Sequence, residues 1–446
     1  MFSSALFADL YEFTMLRAYF ELGMTAPATF SLFVRKLPPQ RNFLIAAGLD
    51  DLLDEIEHLR FEQQQIDYLA SLEFSSKPFL DWLAGFRFSG DIYAMREGAP
   101  FFENEPIIEV VAPIAEAQLI ETLVLNQIGL QTILASKAAR VVSAARGVSV
   151  VDFGARRAQG MDAATKGARA FYIGGVDATS NVAAGHIYGL PLAGTMAHSF
   201  VEACASETDA FRSFCDIFPD TTLLVDTYDT IEGVKKVVAL AKSRGRSFKV
   251  RAVRLDSGDL DTLSRDTRRM LDDAGLTDVQ IVVSGGLDEM KINELTSRGA
   301  PIDMFGVGTD MAASSDAPNL DIAYKLTEYA GEGRMKLSTG KRSLPGRKQV
   351  FRQFRDGVAT KDVIARHGET LPGVPLLQPV MVSGRRVAAQ SCALSQIRAY
   401  ASEQLAALPP KLRALRRHER YDVAISDELA RYEQETRDRL NAQGRS

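Results

Sequence analysis

The sequence contains few of the residues that form disulfide bonds and metal sites in proteins. It has three cysteines, Cys204, Cys215 and Cys392, and five histidines among 446 residues. Three cysteines fit neither a disulfide framework nor a zinc site, which favours a reducing compartment and predicts a cytoplasmic protein. No apolar run approaches the roughly 18 residues that span a bilayer. The N-terminus also lacks the basic region of a secretory signal, so we expect neither secretion nor a membrane partner.

Positive charge is not in excess either. The chain has 52 Lys and Arg against 57 Asp and Glu, which gives a net charge of −5. A nucleic-acid-binding protein needs a basic surface, so no nucleic-acid partner is expected. Hydrophobic residues make up 46% and charged residues 24%, as in soluble globular proteins. A chain of 446 residues is longer than a single hydrophobic core usually accommodates, which predicts two domains or a barrel with an added layer.

The chain changes character near residue 120. Residues 1–120 mix helical patterns with alternating strands such as TFSLFVRKL (29–37), which predicts an N-terminal α+β domain. In residues 121–334 short apolar strands alternate with helical segments, which predicts an α/β protein with an irregular (β/α) barrel. The expected strands lie in VSVVDFG, AFYIGGVD, LPLAGTMAHS, TTLLVDTYD, KVRAVRLDSGD, VQIVVSGGLD and IDMFGVGTD, with DIAYKLTEYAG as a candidate eighth.

Residues 335–446 begin with a basic stretch, KLSTGKRSLPGRKQVFRQF, and end in a charged helical tail from about Leu405. Strand patterns lie between them, and we expect part of this region to complete the N-terminal domain. The tail itself is typical of a solvated helix on the surface.

Polar and glycine residues follow each expected barrel strand, at the edge where barrel enzymes build their active sites. Arginines there suit a carboxylate or phosphate, and carboxylates suit hydrated Mg²⁺ or a cationic transition state. The pattern therefore predicts a pocket for an anionic substrate that carries a divalent metal. Its candidate residues are Asp152, Phe153, Arg156, Arg157, Asp177, Ser180, Asn181, His198, Ser199, Asp226, Tyr228, Asp229, Arg254, Asp256, Ser257, Asp259, Ser284, Gly285, Gly286, Asp288, Gly306, Gly308, Thr309 and Asp310.

Two late glycine motifs, VSGG (283–286) and FGVGTD (305–310), lie where barrel enzymes often bind phosphate on backbone N–H groups. The alternative is that both are tight turns between a strand and a helix. Neither motif has the lysine and spacing of a Walker loop or a dinucleotide fingerprint.

His198, in GTMAHS, has four interpretations: a packed core imidazole, a metal ligand, a general base or a nucleophile. A histidine metal site is disfavoured because His186 is twelve residues away on another element. A serine hydrolase is disfavoured because the chain has no G-x-S-x-G motif. Arg254 and Asp256 lie two residues apart on one strand, as catalytic groups or as a buried ion pair.

Seven motifs together resemble the nicotinate phosphoribosyltransferase family, and they run in order over most of the chain. They are FADLYEFTM, DFGARRAQG, GTMAHSFVEA, LLVDTYDT, VRLDSGDL, FGVGTD and KLSTGKRSLPGRKQVFR. The last hundred residues are the least distinctive part.

The resemblance implies a type II phosphoribosyltransferase with a barrel and a split α+β domain, working as a homodimer with shared active sites. The implied substrates are nicotinate and 5-phosphoribosyl 1-pyrophosphate, and the products are nicotinate mononucleotide and pyrophosphate, in NAD salvage. The resemblance also implies Mg²⁺ and coupled hydrolysis of ATP, which gives such an enzyme a ligase-type name. His198 is the implied phosphate acceptor, as a phosphohistidine.

The resemblance also assigns the other roles. Phe153 and, from the partner subunit, Tyr11 would cover the two faces of the pyridine. Arg156, with Arg157 as a second candidate, would bind the substrate carboxylate. Asp177 and Ser180 are expected in the same pocket from their strand-end position. The resemblance implies that Arg254 and Asp256 contact the ribose, phosphate or pyrophosphate. It also implies a 5-phosphate site at Gly285, Gly286, Gly306, Gly308 and Thr309, and Ser284 is a further candidate for substrate binding. Asp256 and Asp226 are expected near the developing positive charge.

Two alternatives stay open. The first is nicotinamide phosphoribosyltransferase; the adjacent Arg156 and Arg157 favour the acid as substrate, whereas Asp177 would suit the amide. The second is a non-catalytic protein that senses pyridines or phosphoribosyl pyrophosphate. His198, Arg254 and Asp256 argue against it, because a sensor does not need them.

Overall fold

The computed structural model describes residues 4–73, 75–337, 343–388, 392–416 and 420–443. Their Cα positions group into two compact units. The first unit comprises Met1–Ile133 and Asn319–Ser446, and the second comprises Leu134–Pro318. Among the described residues no helix is both long and apolar enough to cross a membrane.

The N-terminal part of the first unit alternates short helices with strands, as its sequence pattern predicts. In helix α2 (Leu49–Glu57) the buried residues Leu49, Leu52, Leu53 and Ile56 recur at helical spacing, so one face packs into the core. The elements are α1 Leu10–Glu21, β1 Pro27–Val34, β2 Leu44–Ile45, α2 Leu49–Glu57, α3 Gln63–Ala70, α4 Lys77–Ala84, β3 Asp91–Met95, β4 Pro100–Phe101, β5 Pro106–Pro113, α5 Ile114–Leu119 and α6 Glu121–Ala145, with a 3₁₀ turn at Ser4–Leu6. The residues of α6 from Leu134 onward belong to the second unit.

The second unit is an alternation of strands and helices. Its elements after α6 are β6 Ser149–Asp152, α7 Met161–Ile173, β7 Ala178–Thr179, α8 Val182–Tyr188, α9 His198–Ala203, α10 Glu207–Ile217, β8 Thr222–Leu224, α11 Thr230–Arg244, β9 Ala252–Leu255, α12 Leu260–Asp273, β10 Gln280–Val283, α13 Glu289–Ser297, β11 Met304–Val307 and α14 Thr309–Ala313. Two 3₁₀ turns, Ala155–Arg157 and Gly245–Ser247, lie between them.

The strands of the second unit form one curled sheet in the order β7-β6-β11-β10-β9-β8. Every neighbouring pair is parallel, and a further parallel bridge joins Thr179 to Leu192. Strand–helix alternation produces this arrangement because parallel neighbours need a crossover helix. The predicted α/β class with an irregular barrel is confirmed.

Two of the expected barrel strands differ from the structure in this unit. In AFYIGGVD the apolar run ends helix α7, and the strand β7 covers only Ala178–Thr179. LPLAGTMAHS contributes only the bridge at Leu192 among its described residues, and His198 begins a helix. A short apolar run has the same composition in a buried helix and in a strand, which explains both differences.

The C-terminal part returns to the first unit. Its elements are β12 Ile322–Tyr329, β13 Glu332–Gly333, β14 Lys348–Arg355, β15 Val358–Arg366, β16 Val374–Pro375, β17 Leu377–Val382, β18 Arg385–Arg386, α15 Leu394–Ala406, β19 Val423–Ile425 and α16 Asp427–Gln443, with a 3₁₀ turn at Pro410–Arg413. The charged tail is helical in α16, and residues 338–342 of the basic stretch lie outside the described residues.

Strands from both ends of the chain build the first unit's largest sheet, in the order β13-β12-β1-β5-β3-β17-β18. Strand β1 pairs antiparallel with β12 on one side and with β5 on the other. The candidate eighth barrel strand, DIAYKLTEYAG, is therefore wrong: it forms β12 in this sheet. A four-stranded sheet, β16-β14-β15-β19, and the pair β2-β4 complete the unit.

Candidate active site

The carboxyl ends of the parallel strands lie along one edge of the sheet, and the polar cluster of the second unit is built there. Asp226 follows β8 after one residue, Arg254 lies near the end of β9, and Ser284 follows β10 directly. In the ladder Arg254 pairs with Val282 and with Leu224, so the three strands hold these side chains side by side.

Arg254 is the hydrogen-bonding centre of this cluster. Its Nε donates to Ser284 Oγ (2.8 Å) and one terminal nitrogen donates to Asp256 Oδ1 (2.9 Å). The other terminal nitrogen donates to Thr195 Oγ1 (3.1 Å) and to the carbonyl of Met196 (3.4 Å). Because the planar guanidinium has several partners in a fixed geometry, it ties the loop before His198 to strands β9 and β10.

The two carboxylates of the cluster are held differently. Asp256 accepts from Arg254 and, in a short contact, from the Ser284 hydroxyl. Burial raises the pKa of the Asp256 carboxyl, but these hydrogen bonds and the Arg254 charge outweigh it and lower the pKa below its usual range. Asp226 Oδ2 accepts from the Asp256 backbone N–H (3.0 Å) and from Ser257 Oγ (2.6 Å). Asp226 Oδ1 is buried without a hydrogen-bond partner among the described residues.

His198 stands at the beginning of α9 and is no core imidazole, since 40% of its side chain is exposed. Its Nδ1 lies 3.2 Å from Thr227 Oγ1. Its Nε2 lies 3.8 Å from Asp256 Oδ2. The imidazole is thus held on one side by a hydroxyl, faces a carboxylate on the other, and is partly exposed to solvent.

The Phe153 ring lies against the backbone of the neighbouring strand. A Cβ on Gly306 would come within 2.5 Å of the ring, so glycine is required for this close approach. The Arg254 guanidinium lies 5.5 Å from the ring centroid. The structure therefore brings Phe153, Gly306 and Arg254 together as predicted neighbours at the sheet edge.

The glycine motifs form the turns after β10 and β11. Gly285 has φ +88°, and a Cβ there would lie 1.8 Å from the Asp256 carbonyl, so no other residue fits. Gly286 follows with φ +59°, and Gly308 precedes the exposed Thr309 at the beginning of α14. Both turns lie at the carboxyl edge, next to the Arg254 cluster on β9 and β10.

The predicted carboxylate-binding arginines are available. Arg156 and Arg157 lie in the 3₁₀ turn after β6, and both side chains are exposed. Ser180 follows β7, is exposed, and donates its backbone N–H to the Asp152 carbonyl (2.9 Å). These three residues share the carboxyl edge with Phe153.

Asp177 does not lie with them. Its carboxylate accepts from Ser149 Oγ (2.8 Å) and from the Val150 backbone N–H (3.0 Å), at the amino end of β6. Asp177 precedes its strand β7 and does not follow it, as a strand-end position would require, and its role in binding stays a prediction. Asp152 is buried, and burial raises its pKa; it accepts from Thr179 Oγ1 and the Gly154 backbone N–H and shapes the turn below Phe153.

Tyr11 belongs to the first unit, in the first turn of α1. The residue is 45% exposed. Burial of the hydroxyl and the nearby Glu121 carboxylate raise the Tyr11 pKa. The neighbouring Glu12 is buried and accepts from the backbone and side chain of Thr122.

Known protein families match the sequence along most of its length. Family models match the nicotinate phosphoribosyltransferase N-terminal domain at residues 6–129, the quinolinate phosphoribosyl transferase C-terminal domain at 134–325 and the nicotinate phosphoribosyltransferase C-terminal domain at 371–433. The nicotinate phosphoribosyltransferase pncB2 of Mycobacterium tuberculosis is 55% identical over 95% of this chain and 92% of its own length. The Bacillus subtilis nicotinate phosphoribosyltransferase is 40% identical over 78% and 73%, respectively.

The chain belongs to the nicotinate phosphoribosyltransferase family.

Solved structures support the same assignment for the fold. Human nicotinic acid phosphoribosyltransferase superposes with a TM-score of 0.86 at 27% identity, over 96% of this chain and 99% of that one. The nicotinate-nucleotide pyrophosphorylase of Pyrococcus furiosus gives 0.74 at 25% identity, over 91% and 96%. The family likeness thus spans both units of this phosphoribosyltransferase chain.

Two residues that contact the candidate site side chains were not predicted from the sequence. Thr227 contacts His198, and Thr195 accepts from Arg254. Both lie inside quoted motifs, LLVDTYDT and GTMAHS, beside residues that were singled out. A hydroxyl next to a strand-end carboxylate was the available signal, but it cannot be told from an ordinary turn residue without the contact.

The described residues of the second unit form no complete metal site from protein side chains alone. Among the described residues no group of three or more His, Cys, Asp or Glu side chains is arranged to hold a metal ion. Mg²⁺ in phosphate chemistry is commonly bound by one or two carboxylates and by the substrate phosphates. The unpartnered Asp226 Oδ1 fits such a partial site.

Proposed function

We propose that this protein joins nicotinate to 5-phosphoribosyl 1-pyrophosphate, forming nicotinate mononucleotide and pyrophosphate, with ATP hydrolysis coupled through His198. The observation that carries the proposal is the convergence of Arg254, Asp256 and His198 at one sheet edge, beside an aromatic ring and two glycine turns. Family membership indicates the class of reaction, a phosphoribosyl transfer. This cluster contains the charged and nucleophilic groups that such a reaction, coupled to ATP, would use.

The base would bind against Phe153. Its ring offers a face for the pyridine, and Gly306, which has no side chain, lets the ring lie against the backbone of β11. Arg156 and Arg157 are exposed nearby, and a guanidinium binds a carboxylate through two parallel hydrogen bonds. Nicotinate is favoured over nicotinamide because these two cations suit an acid, and because Asp177, the one acidic candidate for the amide, lies at the other end of its strand.

The transfer itself needs positioning more than acid–base catalysis. The pyridine nitrogen is already a nucleophile; it forms a bond to the ribosyl carbon as the bond to pyrophosphate breaks. Asp256 is ionised at neutral pH because its pKa is lowered, and with Asp226 it would stabilise the positive charge that develops on the ribose. The glycine turns offer backbone N–H groups to the 5-phosphate.

Mg²⁺ would be held by Asp226, through its unpartnered Oδ1, with Asp256 beside it. When bound, the ion would neutralise charge on the pyrophosphate and assist its departure. The Asp226 carboxylate is fixed by the Asp256 backbone and by Ser257, so its free oxygen is already oriented.

The role proposed for His198 is that of phosphoryl acceptor. An imidazole nitrogen forms a bond to the γ-phosphorus of ATP as the bond to ADP breaks, and water later releases phosphate and the free histidine. The phosphorylated ring would carry about two negative charges. Those charges would act on Arg254 in the same cluster, which is how ATP would change the affinity for the second substrate.

We also propose a homodimer in which Tyr11 of one subunit covers the pyridine bound by the other. The exposed ring of Tyr11 supports this. A cytoplasmic location is supported by the cysteines, because Cys204, Cys215 and Cys392 are all free.

Product formation tests the reaction. The purified protein with Mg²⁺ and phosphoribosyl pyrophosphate would be given nicotinate or nicotinamide, with and without ATP, and the products read by mass spectrometry. Nicotinate mononucleotide, increased by ATP, is the expected result. The amide product alone would overturn the specificity argument, and no product from either base would favour a sensor.

A further inference from the structure

A buried lysine stands at the centre of a charged cluster in the second unit, apart from the Arg254 cluster. Lys137, on α6, has a side chain only 1% exposed. Its Nζ lies 2.5 Å from Glu289 Oε2, 2.5 Å from Asp310 Oδ2 and 3.0 Å from Asp316 Oδ1. Arg140, one turn further along α6, reaches the other oxygen of Glu289 at 3.0 Å.

The three carboxylates occupy related positions in the chain. Glu289 is the first residue of α13, which follows the Gly285–Gly286 turn. Asp310 is the second residue of α14, which follows Gly308. Asp316 lies just after α14, where the Ser315 backbone N–H returns to the Asp310 carbonyl. One ammonium group therefore contacts the first turns of both helices that follow the glycine turns.

The charges make this arrangement resistant to displacement. Burial alone lowers the pKa of Lys137, but the surrounding carboxylates, Glu289 foremost, raise it above its usual value. The ammonium stays charged, and a buried charge that loses its partner is strongly destabilising. Either helix can shift only by separating its carboxylate from Lys137. The lysine thus fixes the distance between the two glycine turns.

We propose that Lys137 is a positioning residue for phosphoribosyl pyrophosphate: through Glu289 and Asp310 it holds the two glycine turns at the spacing that the 5-phosphate requires. The inference rests on the proposed function, since it takes these turns as the phosphate cradle. It adds a residue that never touches substrate, and it explains why Asp310 points to Lys137 instead of serving as a phosphate or metal ligand.

The test separates positioning from stability. Asp310→Ala removes the α14 contact and leaves Lys137 paired with two carboxylates, so the variant should fold. We expect the KM for phosphoribosyl pyrophosphate to rise about tenfold while the KM for nicotinate changes less than about twofold. Lys137→Met should show the same selective rise, and Lys137→Arg, which keeps the charge, should recover most of the wild-type KM.

Glu207→Gln is the matched control. Glu207 is a buried carboxylate of the same unit, paired with Lys236 at 2.7 Å and remote from the glycine turns in sequence. It should lower the thermal midpoint without a selective change in either KM. A purely stabilising role for Lys137 would make Asp310→Ala behave like this control, and that result would overturn the inference.

A Gly308→Val variant distinguishes failure of the inference from failure of the proposed function, because its side chain would narrow the proposed cradle directly. If wild type forms product and Gly308→Val raises the KM for phosphoribosyl pyrophosphate while Asp310→Ala does not, the inference is wrong and the function stands. If Gly308→Val has no effect, the assignment of the glycine turns to the 5-phosphate is wrong, and so is the inference that depends on it. No product from wild type would refute the proposed function itself.

Discussion

Adding one methyl group at Gly306 should weaken nicotinate use through the Phe153 ring. The new Cβ would lie 2.5 and 2.6 Å from two ring carbons, closer than carbon atoms approach, and 3.2 Å from Ser284 Cβ, which is a tight contact. Gly306 lies within strand β11, so its backbone is less able to move than the half-buried ring. In Gly306→Ala the ring must leave the position in which it would stack on the pyridine.

The expected size of the effect follows from the contact. Overpacking of this kind costs about 1–3 kcal/mol, and stacking of a base on an aromatic side chain contributes about 1–3 kcal/mol. Since 1.4 kcal/mol corresponds to about tenfold, kcat/KM for nicotinate should fall about 10- to 100-fold. Initial rates at varied nicotinate, with phosphoribosyl pyrophosphate saturating, measure this.

A double-mutant cycle shows whether the ring transmits the effect. In a Phe153→Ala background there is no ring to displace, so Gly306→Ala should change kcat/KM by less than about threefold. An equal loss in both backgrounds would refute the reasoning. Thermal unfolding of all four proteins shows whether each variant is folded at the assay temperature.

Three further predictions concern other groups. His198→Ala should abolish nicotinate-stimulated ATP hydrolysis and keep some ATP-independent transfer; an acid-labile phosphoenzyme formed by this variant would disprove the assignment. Thr227→Val removes the oxygen that contacts His198 Nδ1 and should slow the ATP-coupled reaction about 2- to 10-fold, the effect of one hydrogen bond; Thr227→Ser should restore it, and unchanged coupling in Thr227→Val would contradict the contact. Burial raises the Glu12 pKa from 4.5 to about 7, against the opposing hydrogen bonds from Thr122. As the pH rises, the Glu12 carboxyl therefore ionises at a lower pH in the unfolded chain than in the folded protein. The free energy of unfolding is highest below about pH 4.5 and falls as the pH rises to about 7. Glu12→Gln should match wild type at the acid end and exceed it by about 1–3 kcal/mol above pH 7; parallel pH profiles of thermal midpoint would refute this.

The proximity of the site residues could be predicted wherever it follows from the order of the strands along the chain. Parallel strands expose their carboxyl ends on one edge, so residues after β8, β9 and β10 had to lie together, and Asp226, Arg254 and Ser284 do. The glycine turns were predictable for the same reason. The place of Asp177 was not predictable in this way, because its strand is only two residues long and begins after it, which puts its carboxylate at the amino end of β6.

The sequence by itself determined the alternation of strands and helices, the barrel-like class and the family, because hydrophobic periodicity and ordered motifs are local properties. Tertiary structure alone decided which sheet received Ile322–Tyr329, which hydroxyl contacts His198, and that Lys137 contacts Glu289 and Asp310 from more than 150 positions away in the chain. These are long-range contacts. They depend on how separate elements pack, and no spacing between neighbouring residues records that.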